Sequence, residues 1–438
     1  MTKINNYIYL SIVFFLFSCG TGEYFGFEEK KIKLKGKRVA LLKEDSKAIL
    51  NSKIISETKL EGKKEVLSWE QSHNGPSHLS INFIAESNFV KFKYITSGSG
   101  EKKSSRILSQ PLIFNNFIYY LDAAANVIAF NLEKKKNIWK KNISKKNDNN
   151  HNLGGGLAIG NNKLIVNSPY GEILALNLNN GEVLWKKSID IPIRSAPTIS
   201  DDKVFSLTVE NRLLVHSLDS GELLWEHEGL FNNTTLINSP KIAVDQNIVV
   251  VPYSNGDFFG LSLTNGKVIW SNSFIDIEVK ETTNVFTDID ANPVIKNDIL
   301  VLSSSIGQTI SVNKKTGSQF WIKNIYSDQT PAINGNSIFI INNNEEIINL
   351  DLLNGSTRWV LELSQDLSKN NKNIWLAPVL INDKLIVIGG DKKMLIIDPF
   401  KGKIEKITNL PNLPSTSPFV VNSNVYLMFK NGDIAKIE

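Results

Sequence analysis

Apolar and polar residues alternate in short runs along most of this chain, and turns rich in Asn, Asp and Gly separate the runs. One run extends from Lys203 to Val209, and after a turn at Glu210-Asn211 the next extends from Leu213 to Leu218. A period of two is typical of a β-strand with one buried face. Tight hairpin turns need a positive φ, which Gly, Asn and Asp tolerate. The pattern therefore predicts an all-β protein.

The strand runs repeat as a unit that ends in Gly-x-x-x-Trp. Five full copies end at Trp185, Trp225, Trp270, Trp321 and Trp359, and a copy without the glycine ends at Trp139. Each unit starts at an onset that is usually proline, and two further onsets follow, which gives the series Pro111, Leu157, Pro197, Pro240, Pro293, Pro331, Pro378 and Pro418. A strand-rich repeat of roughly 40–50 residues is typical of a β-propeller. We predict an eight-bladed β-propeller of four-stranded antiparallel blades, in which the tryptophans wedge neighbouring blades together.

The last unit has room for only three strand runs before the chain ends at Glu438. An open blade would leave an unpaired strand edge, which is an aggregation liability. The alternating run from Asn88 to Ile95 is a suitable fourth strand. We predict that this N-terminal strand closes the last blade, so that residues 85–438 form the propeller.

The first residues have the pattern of a secretory signal. The apolar stretch from Ile8 to Phe17 is shorter than the roughly 20 residues that a membrane-spanning helix needs. It leads into Cys19, the only cysteine of the 438 residues. A single cysteine can be a catalytic nucleophile, but its place directly after the apolar stretch favours lipid attachment. We expect residues 1–18 to be a lipoprotein signal peptide and residues 19–84 to be a lipidated tether and N-terminal extension.

Charge and candidate chemical groups add little to this picture. The net charge of +5 comes from lysines spread along the chain without a basic stripe, so we expect no nucleic-acid binding. His73 and His78 lie in a polar segment and are interpreted as solvated loop residues. Gly154-Gly-Gly opens a strand run, so it lacks the helix N-terminus that phosphate loops use. The sequence therefore predicts no cofactor, no metal site and no catalytic residue.

The repeat resembles the pyrroloquinoline quinone (PQQ)-type propeller repeat. With the lipobox-like Leu16-Phe-Ser-Cys19, the eight onsets and the segment Trp69 to His78, residues 69–438 resemble the BamB family of lipoproteins. The resemblance implies a non-catalytic subunit of the outer-membrane β-barrel assembly (BAM) complex, which binds the BamA barrel subunit and unfolded outer-membrane clients. Acylation of Cys19, followed by Gly20 rather than aspartate, implies an anchor at the periplasmic face of the outer membrane.

Two other functions stay open on the sequence. A PQQ-dependent dehydrogenase has a similar eight-bladed frame, although such enzymes generally use adjacent cysteines and a bound calcium ion, and Cys19 has no cysteine neighbour. A lipid-anchored propeller that binds another protein or a glycan is the other alternative. Binding of added PQQ and calcium would separate the enzyme from the two binding functions.

Repeat lengths locate the expected binding surface. The separation from onset to tryptophan is 28 residues in five of six units (197 to 225, for example), whereas the connection to the next onset ranges from 10 residues (321 to 331) to 23 (270 to 293). Variable insertions on one face often mark the binding face of a repeat protein.

Two of these connections resemble the family's contact motifs for BamA. The resemblance implies partner contacts by Ile193 and Arg194 in one connection and by Asp288 and Asp290 in the other. The planar guanidinium of Arg194 suits carboxylate or carbonyl partners. From the residues alone, the two aspartates could equally cap the turn into Pro293, with Arg194 solvated.

Overall fold

The computed structural model describes residues 56–145, 153–230, 240–274, 289–304, 307–364, 373–390 and 392–438. These residues form eight sheets, each built mainly from consecutive antiparallel strands. The first strands of neighbouring blades lie next to each other, as β-strand contacts between blades 1 to 5 show, so these strands surround the axis and the fourth strands form the rim. The predicted all-β, eight-bladed propeller is confirmed.

The strands have the following bounds. Two strands, β1 (Asn82–Phe83) and β2 (Phe92–Ser97), precede the first blade. Blade 1 contains β3 (Leu112–Phe114), β4 (Phe117–Leu121), β5 (Asn126–Asn131) and β6 (Lys136–Asn142). Blade 2 contains β7 (Gly156–Gly160), β8 (Lys163–Ser168), β9 (Glu172–Asn177) and β10 (Val183–Ser188). Blade 3 contains β11 (Thr198–Ser200), β12 (Lys203–Leu207), β13 (Arg212–Ser217) and β14 (Leu223–Glu228). Blade 4 contains β15 (Ala243–Asp245), β16 (Ile248–Pro252), β17 (Asp257–Ser262) and β18 (Val268–Ser273).

The second half of the chain continues the series. Blade 5 contains β19 (Val294–Lys296), β20 (Ile299–Ser303), β21 (Thr309–Asn313) and β22 (Gln319–Lys323). Blade 6 contains β23 (Ala332–Asn334), β24 (Ser337–Ile341), β25 (Glu346–Asp351) and β26 (Thr357–Glu362). Blade 7 contains β27 (Val379–Ile381), β28 (Lys384–Gly389), β29 (Lys393–Asp398) and β30 (Lys403–Asn409). Blade 8 contains β31 (Phe419–Val421), β32 (Asn424–Met428) and β33 (Asp433–Ile437).

Antiparallel pairing gives the propeller two different ends. The first and third hairpins of every blade lie at one end, which we call the turn face. The second hairpins and the links between blades lie at the other end, which we call the connection face. Asn and Asp hold the first hairpins, with positive φ at Asn115, Asn161, Asp201 and Asn382, for example. The turn chemistry that the sequence predicted is therefore present.

The repeated tryptophans join neighbouring blades, as predicted. Each indole Nε1–H donates to a backbone carbonyl of the next blade, with these partners: Trp139 to Leu178 (2.8 Å), Trp185 to Leu218 (3.1 Å), Trp225 to Leu263 (3.2 Å), Trp270 to Lys314 (2.7 Å), Trp321 to Leu352 (3.0 Å) and Trp359 to Pro399 (2.9 Å). Since the tryptophan donates forward along the chain, the earlier blade supplies the donor in each of these six seams.

The glycine of the same motif serves the preceding seam. Gly181, Gly221, Gly266, Gly317 and Gly355 of the motif have φ between 68° and 72°, and each lies against the indole of the previous blade. Gly402 has φ 61° and lies against Trp359 in the same way, although Lys406 takes the place of the tryptophan in its blade. A Cβ at these positions would lie between 2.4 and 2.8 Å from indole atoms. Each Gly-x-x-x-Trp therefore takes part in two seams. Its glycine accommodates the indole of the preceding blade, and its tryptophan donates to the next blade.

The N-terminal strand closes the last blade, as predicted. Strand β2 pairs antiparallel with β33, so Tyr94 lies opposite Ala435. Next to this pairing, the N–H groups of Val90 and Lys91 donate to the carbonyl of Glu438 at 2.9 and 3.0 Å. The strand extends to Ser97, two residues beyond the run ending at Ile95. Blade 7 departs from the four-strand prediction, because β1 adds a parallel fifth strand to the free edge of β27.

The interpretation of His73 and His78 as solvated loop residues is wrong. His78 is 2% exposed, and its Nδ1 lies 2.8 Å from the carbonyl oxygen of Pro293. The His73 and His78 rings lie edge to face, with centroids 5.4 Å apart. His78 is covered by a blade more than 200 residues further along the chain, and His73 packs against it, which their polar neighbours in sequence could not reveal.

The stability of this fold should decrease between about pH 6.5 and pH 4, because the histidines bind protons in the unfolded chain at a higher pH than in the folded chain. Burial lowers the pKa of His78 and His216 from 6.5 to about 4, and it also lowers those of His73 and His227. The unfolded chain binds these protons from about pH 6.5 downwards and the folded chain does not, so stability is full above that pH and falls as the pH decreases towards 4. For His78 alone, about 2 kcal/mol should be lost by pH 5.0, at about 1.4 kcal/mol per unit.

Urea unfolding at pH 7.5 and 5.0 measures this loss. The variant His78→Gln should show a smaller difference between the two pH values than the wild type. Equal free energies of unfolding at both pH values would contradict the burial of these rings.

Candidate partner-binding surface

The proposed contact residues occupy equivalent places in two blades. Arg194 and Asp290 each lie three residues before the proline that starts the inner strand, at 197 and 293. The residue before each of them, Ile193 or Ile289, is 0% exposed, whereas Arg194 and Asp290 are partly exposed. The same local alternation therefore places an isoleucine in the core and a charged side chain at the connection face.

The segment that carries Arg194 is held by backbone contacts on both sides. The carbonyl of Arg194 accepts from the N–H of Gly155 at 2.8 Å, in blade 2. The carbonyl of Pro192 accepts from the N–H of Val209 at 3.0 Å, in blade 3. Ile193 lies in the core cluster between these blades. Arg194 is therefore presented from a frame fixed by two blades.

The triple glycine at 154–156 makes this approach possible. Gly154 has φ +119°, and a Cβ there would lie 2.7 Å from the carbonyl oxygen of Arg194. A Cβ at Gly156 would lie 2.5 Å from that of Ala196. The prediction that these glycines open a strand is confirmed, because β7 starts at Gly156. Their structural role is to allow close backbone contact between residues 154–156 and the connection that carries Arg194, because a side chain at Gly154 or Gly156 would clash there.

Asp290 is held in a comparable way between blades 4, 5 and 6. Ile289 and Ala291 on either side of it are 0% exposed. The side-chain amide of Asn292 donates to the Thr330 hydroxyl at 2.9 Å, and its Oδ1 accepts from the N–H of Lys241 at 2.8 Å. Asp288, the other aspartate of the predicted pair, lies outside the described residues.

A third charged residue occupies this position, and the sequence motifs did not predict it. Asp328 lies three residues before the onset at 331 and is exposed. Ser327 before it is 0% exposed and donates its hydroxyl to the carbonyl of Ile341 at 2.6 Å. Counting back three residues from every onset would have found it. We name Arg194, Asp290 and Asp328 the contact rim.

The buried isoleucine changes the predicted set of contacts. Because Ile193 has no exposed surface, a partner cannot touch its side chain without opening the core between blades 2 and 3. Its role at this surface is to fix the backbone that presents Arg194. The contact rim then contains one guanidinium and two carboxylates, groups of a kind that forms charge-assisted hydrogen bonds with polar partners.

Two findings concern the described residues as a whole. In the residues that the structure covers, His, Cys, Asp and Glu side chains do not gather in any group of three or more that could hold a metal ion. Across the same ranges, no helix is both long and apolar enough to cross a bilayer.

Comparisons with known proteins identify the family. The sequence profile described as "Outer membrane protein assembly factor BamB" matches residues 123–361, more than half of the chain. The outer membrane protein assembly factor BamB of Shewanella oneidensis is 25% identical over 335 residues, which cover 75% of this chain and 83% of that protein.

Solved structures share the fold. The crystal structure of BamB from Moraxella catarrhalis has a TM-score of 0.66 at 17% identity and covers 79% of this chain and 99% of that one. A europium-containing methanol dehydrogenase has a TM-score of 0.65 at 15% identity, covering 83% of this chain and 89% of that one. At these identities the structural likeness shows the propeller alone, whereas the profile match reaches across six blades. The chain belongs to the BamB family of outer membrane protein assembly factors.

Proposed function

We propose that this protein is a non-catalytic scaffold of the BAM complex, which binds the BamA-like barrel subunit through the contact rim and assists the insertion of outer-membrane proteins. The observation that carries the proposal is the equivalence of Arg194 and Asp290. Both occupy the same position before an inner strand, and both are held by buried neighbours. Charged groups on a fixed frame lose little freedom when they bind, which favours affinity and register.

The proposal places the protein at the periplasmic face of the outer membrane. Acyl chains on Cys19 would provide the anchor, and more than one chain is needed for a stable one. From Cys19 to Ser56, where the described chain begins, there are 37 residues (56 − 19). A chain of that length spans at most about 130 Å. The anchor therefore sets only an upper limit on the distance between the lipid surface and Ser56.

Removing the charges of the contact rim should disrupt the complex. The double variant Arg194→Ala with Asp290→Ala is expected to lower the amount of barrel subunit that co-purifies from membranes at least tenfold, since truncating charged contacts at an interface typically costs about 2–5 kcal/mol. The measurement is affinity purification from membranes with quantification of the co-purifying proteins.

A matched control removes one cation and one anion from the turn face. Lys163 and Asp219 form an ion pair of 2.6 Å there. The variant Lys163→Ala with Asp219→Ala should co-purify the barrel subunit at the wild-type level. Equal recovery with the contact-rim variant and with this control would reject the assignment of Arg194 and Asp290.

The similarity to a methanol dehydrogenase keeps a catalytic function as the second candidate. It predicts that added PQQ and calcium bind, with a new absorbance band and heat release in calorimetry. Absence of both signals supports the scaffold.

A further inference from the structure

One N-terminal segment meets the inner part of all eight blades. In the first half of the segment, residues 66–71 contact blades 8, 1, 2 and 3 in turn. The contacts are Val66 O with Asn422 N–H (2.8 Å), Trp69 with Ile113 in both directions (2.7 and 3.0 Å), Glu70 O with Ile159 N–H (2.7 Å), and the Gln71 side chain with both backbone groups of Ile199 (3.1 Å each).

The second half of the segment completes the circle. Residues 76–86 contact blades 4, 5, 6, 7 and again 8. The contacts are Pro76 O with Val244 N–H (2.8 Å), Ser77 O with Ile295 N–H (2.9 Å), Ser80 O with the Asn334 amide (3.1 Å), β1 with β27, and Glu86 N–H with Ser423 O (2.7 Å). We call residues 64–86 the axial segment.

The axial segment provides hydrogen-bond partners for backbone groups that the inner strands leave unpaired within their own blades. An inner strand has a ladder partner on one side only, and buried backbone groups without a partner are costly. Inner strands β3, β11, β15 and β19 each receive their second partner from the axial segment, at Ile113, Ile199, Val244 and Ile295. The segment therefore acts towards the blades as a bound peptide acts towards a row of strand edges.

Its side chains are anchored like those of a ligand. Trp69 is 3% exposed and packs between Phe83 and Phe419, with ring centroids 5.6 and 5.8 Å away. The indole Nε1 of Trp69 lies 3.3 Å from the Gln110 side-chain oxygen. Phe83, at the other end of the segment, is 4% exposed. Two aromatic anchors thus flank the residues that contact one blade after another.

The backbone path fits a closed circle. His73, Asn74 and His78 have φ of 57°, 59° and 56°, a left-handed conformation that is uncommon outside glycine. A short 3-10 turn, Ser72–Asn74, carries two of these residues. His73 and Asn74 change the chain direction between the contacts to blade 3 and those to blade 4, and His78 changes it between the contacts to blades 5 and 6. This unusual conformation persists because contacts on both sides of it fix the chain.

We propose that the ring of inner strands around the propeller axis is a peptide-binding site and that the axial segment is its internal ligand. The ligand class is an extended, largely uncharged peptide. It has a tryptophan anchor, a glutamine whose side chain hydrogen-bonds the backbone of one inner strand, and a strand that extends a sheet. Its binding closes the propeller from the inside, while β2 closes it at the rim.

A cut between Ser87 and Asn88 separates the axial segment from β2 and tests the proposal. Asn88 is exposed, so a protease site inserted there in the full chain is accessible. After cleavage under native conditions, the N-terminal fragment should remain bound and co-elute with residues 88–438 in gel filtration. The uncut insertion protein should melt at the wild-type temperature.

Two variants of the cut protein test whether Trp69 and Gln71 hold the N-terminal fragment in place. Trp69→Ala with Gln71→Ala should speed dissociation of the N-terminal fragment at least tenfold, as measured by exchange with a labelled peptide of residues 56–87. Leu67→Ala is the matched control, because Leu67 is 71% exposed in the same segment and should leave the exchange rate unchanged. Separate elution of the unmodified fragment, with residues 88–438 still folded and monomeric, would overturn the proposal.

Discussion

Deletion of residues 85–97 is expected to remove the folded monomer. The deletion takes away β2 and exposes the edge of β33, which β2 covers. It also removes Phe89, which is 6% exposed, and the two donors to the carbonyl of Glu438. An exposed strand edge templates pairing with other chains. We expect insoluble or aggregated protein by light scattering after gel filtration, with loss of the cooperative thermal transition.

The matched control keeps the backbone of this strand. Tyr94 lies on β2 and is 52% exposed, so Tyr94→Ser removes a side chain without removing a ladder. This variant should be monomeric, with a melting temperature close to that of the wild type. A deletion product that is stable and monomeric would show that β2 is dispensable for closure.

Truncation of a seam tryptophan should have the second large effect. Trp321 is 6% exposed, donates to the Leu352 carbonyl at 3.0 Å, and lies against Gly355 of blade 6. Trp321→Ala leaves a cavity between blades 5 and 6, and such truncations typically cost about 3–5 kcal/mol. Denaturant unfolding followed by circular dichroism measures the change.

A conservative variant separates packing from hydrogen bonding at this seam. Trp321→Phe retains much of the buried aromatic surface and loses the donor to Leu352. Both variants leave the Leu352 carbonyl without this donor, which costs about 1–3 kcal/mol. Trp321→Phe should cost less than Trp321→Ala because it retains the packing between the blades. A loss below about 1 kcal/mol in Trp321→Ala would show that the tryptophans do not fasten the blades.

The fold was predictable because its main determinants are local and repeated. The distance from onset to tryptophan marks six of the eight blades, a proline onset marks the other two, and Gly-x-x-x-Trp supplies residues to two neighbouring seams. The axial segment was not predictable in this way, because some of its partners are far away in the sequence. Val66 and Asn422, for example, are more than 300 residues apart. The burial of His78 by Pro293 has the same cause.

The candidate site was only partly visible in the sequence. The family resemblance directed attention to Arg194 and Asp290, but exposure at the third residue before an onset is a property of the folded connection. That property removes Ile193 from the proposed contacts and adds Asp328 to them. A sequence motif names both residues of an apolar-Arg pair, whereas packing decides which of them a partner can touch.

The most direct test of the central claim is photo-crosslinking in membranes. A photo-crosslinking residue in place of Asp328, on the connection face, is compared with one in place of Asp219, on the turn face; both positions are exposed. The account predicts a crosslink to the barrel subunit from position 328 and none from position 219. A crosslink from position 219 alone would place the partner on the opposite face and contradict it.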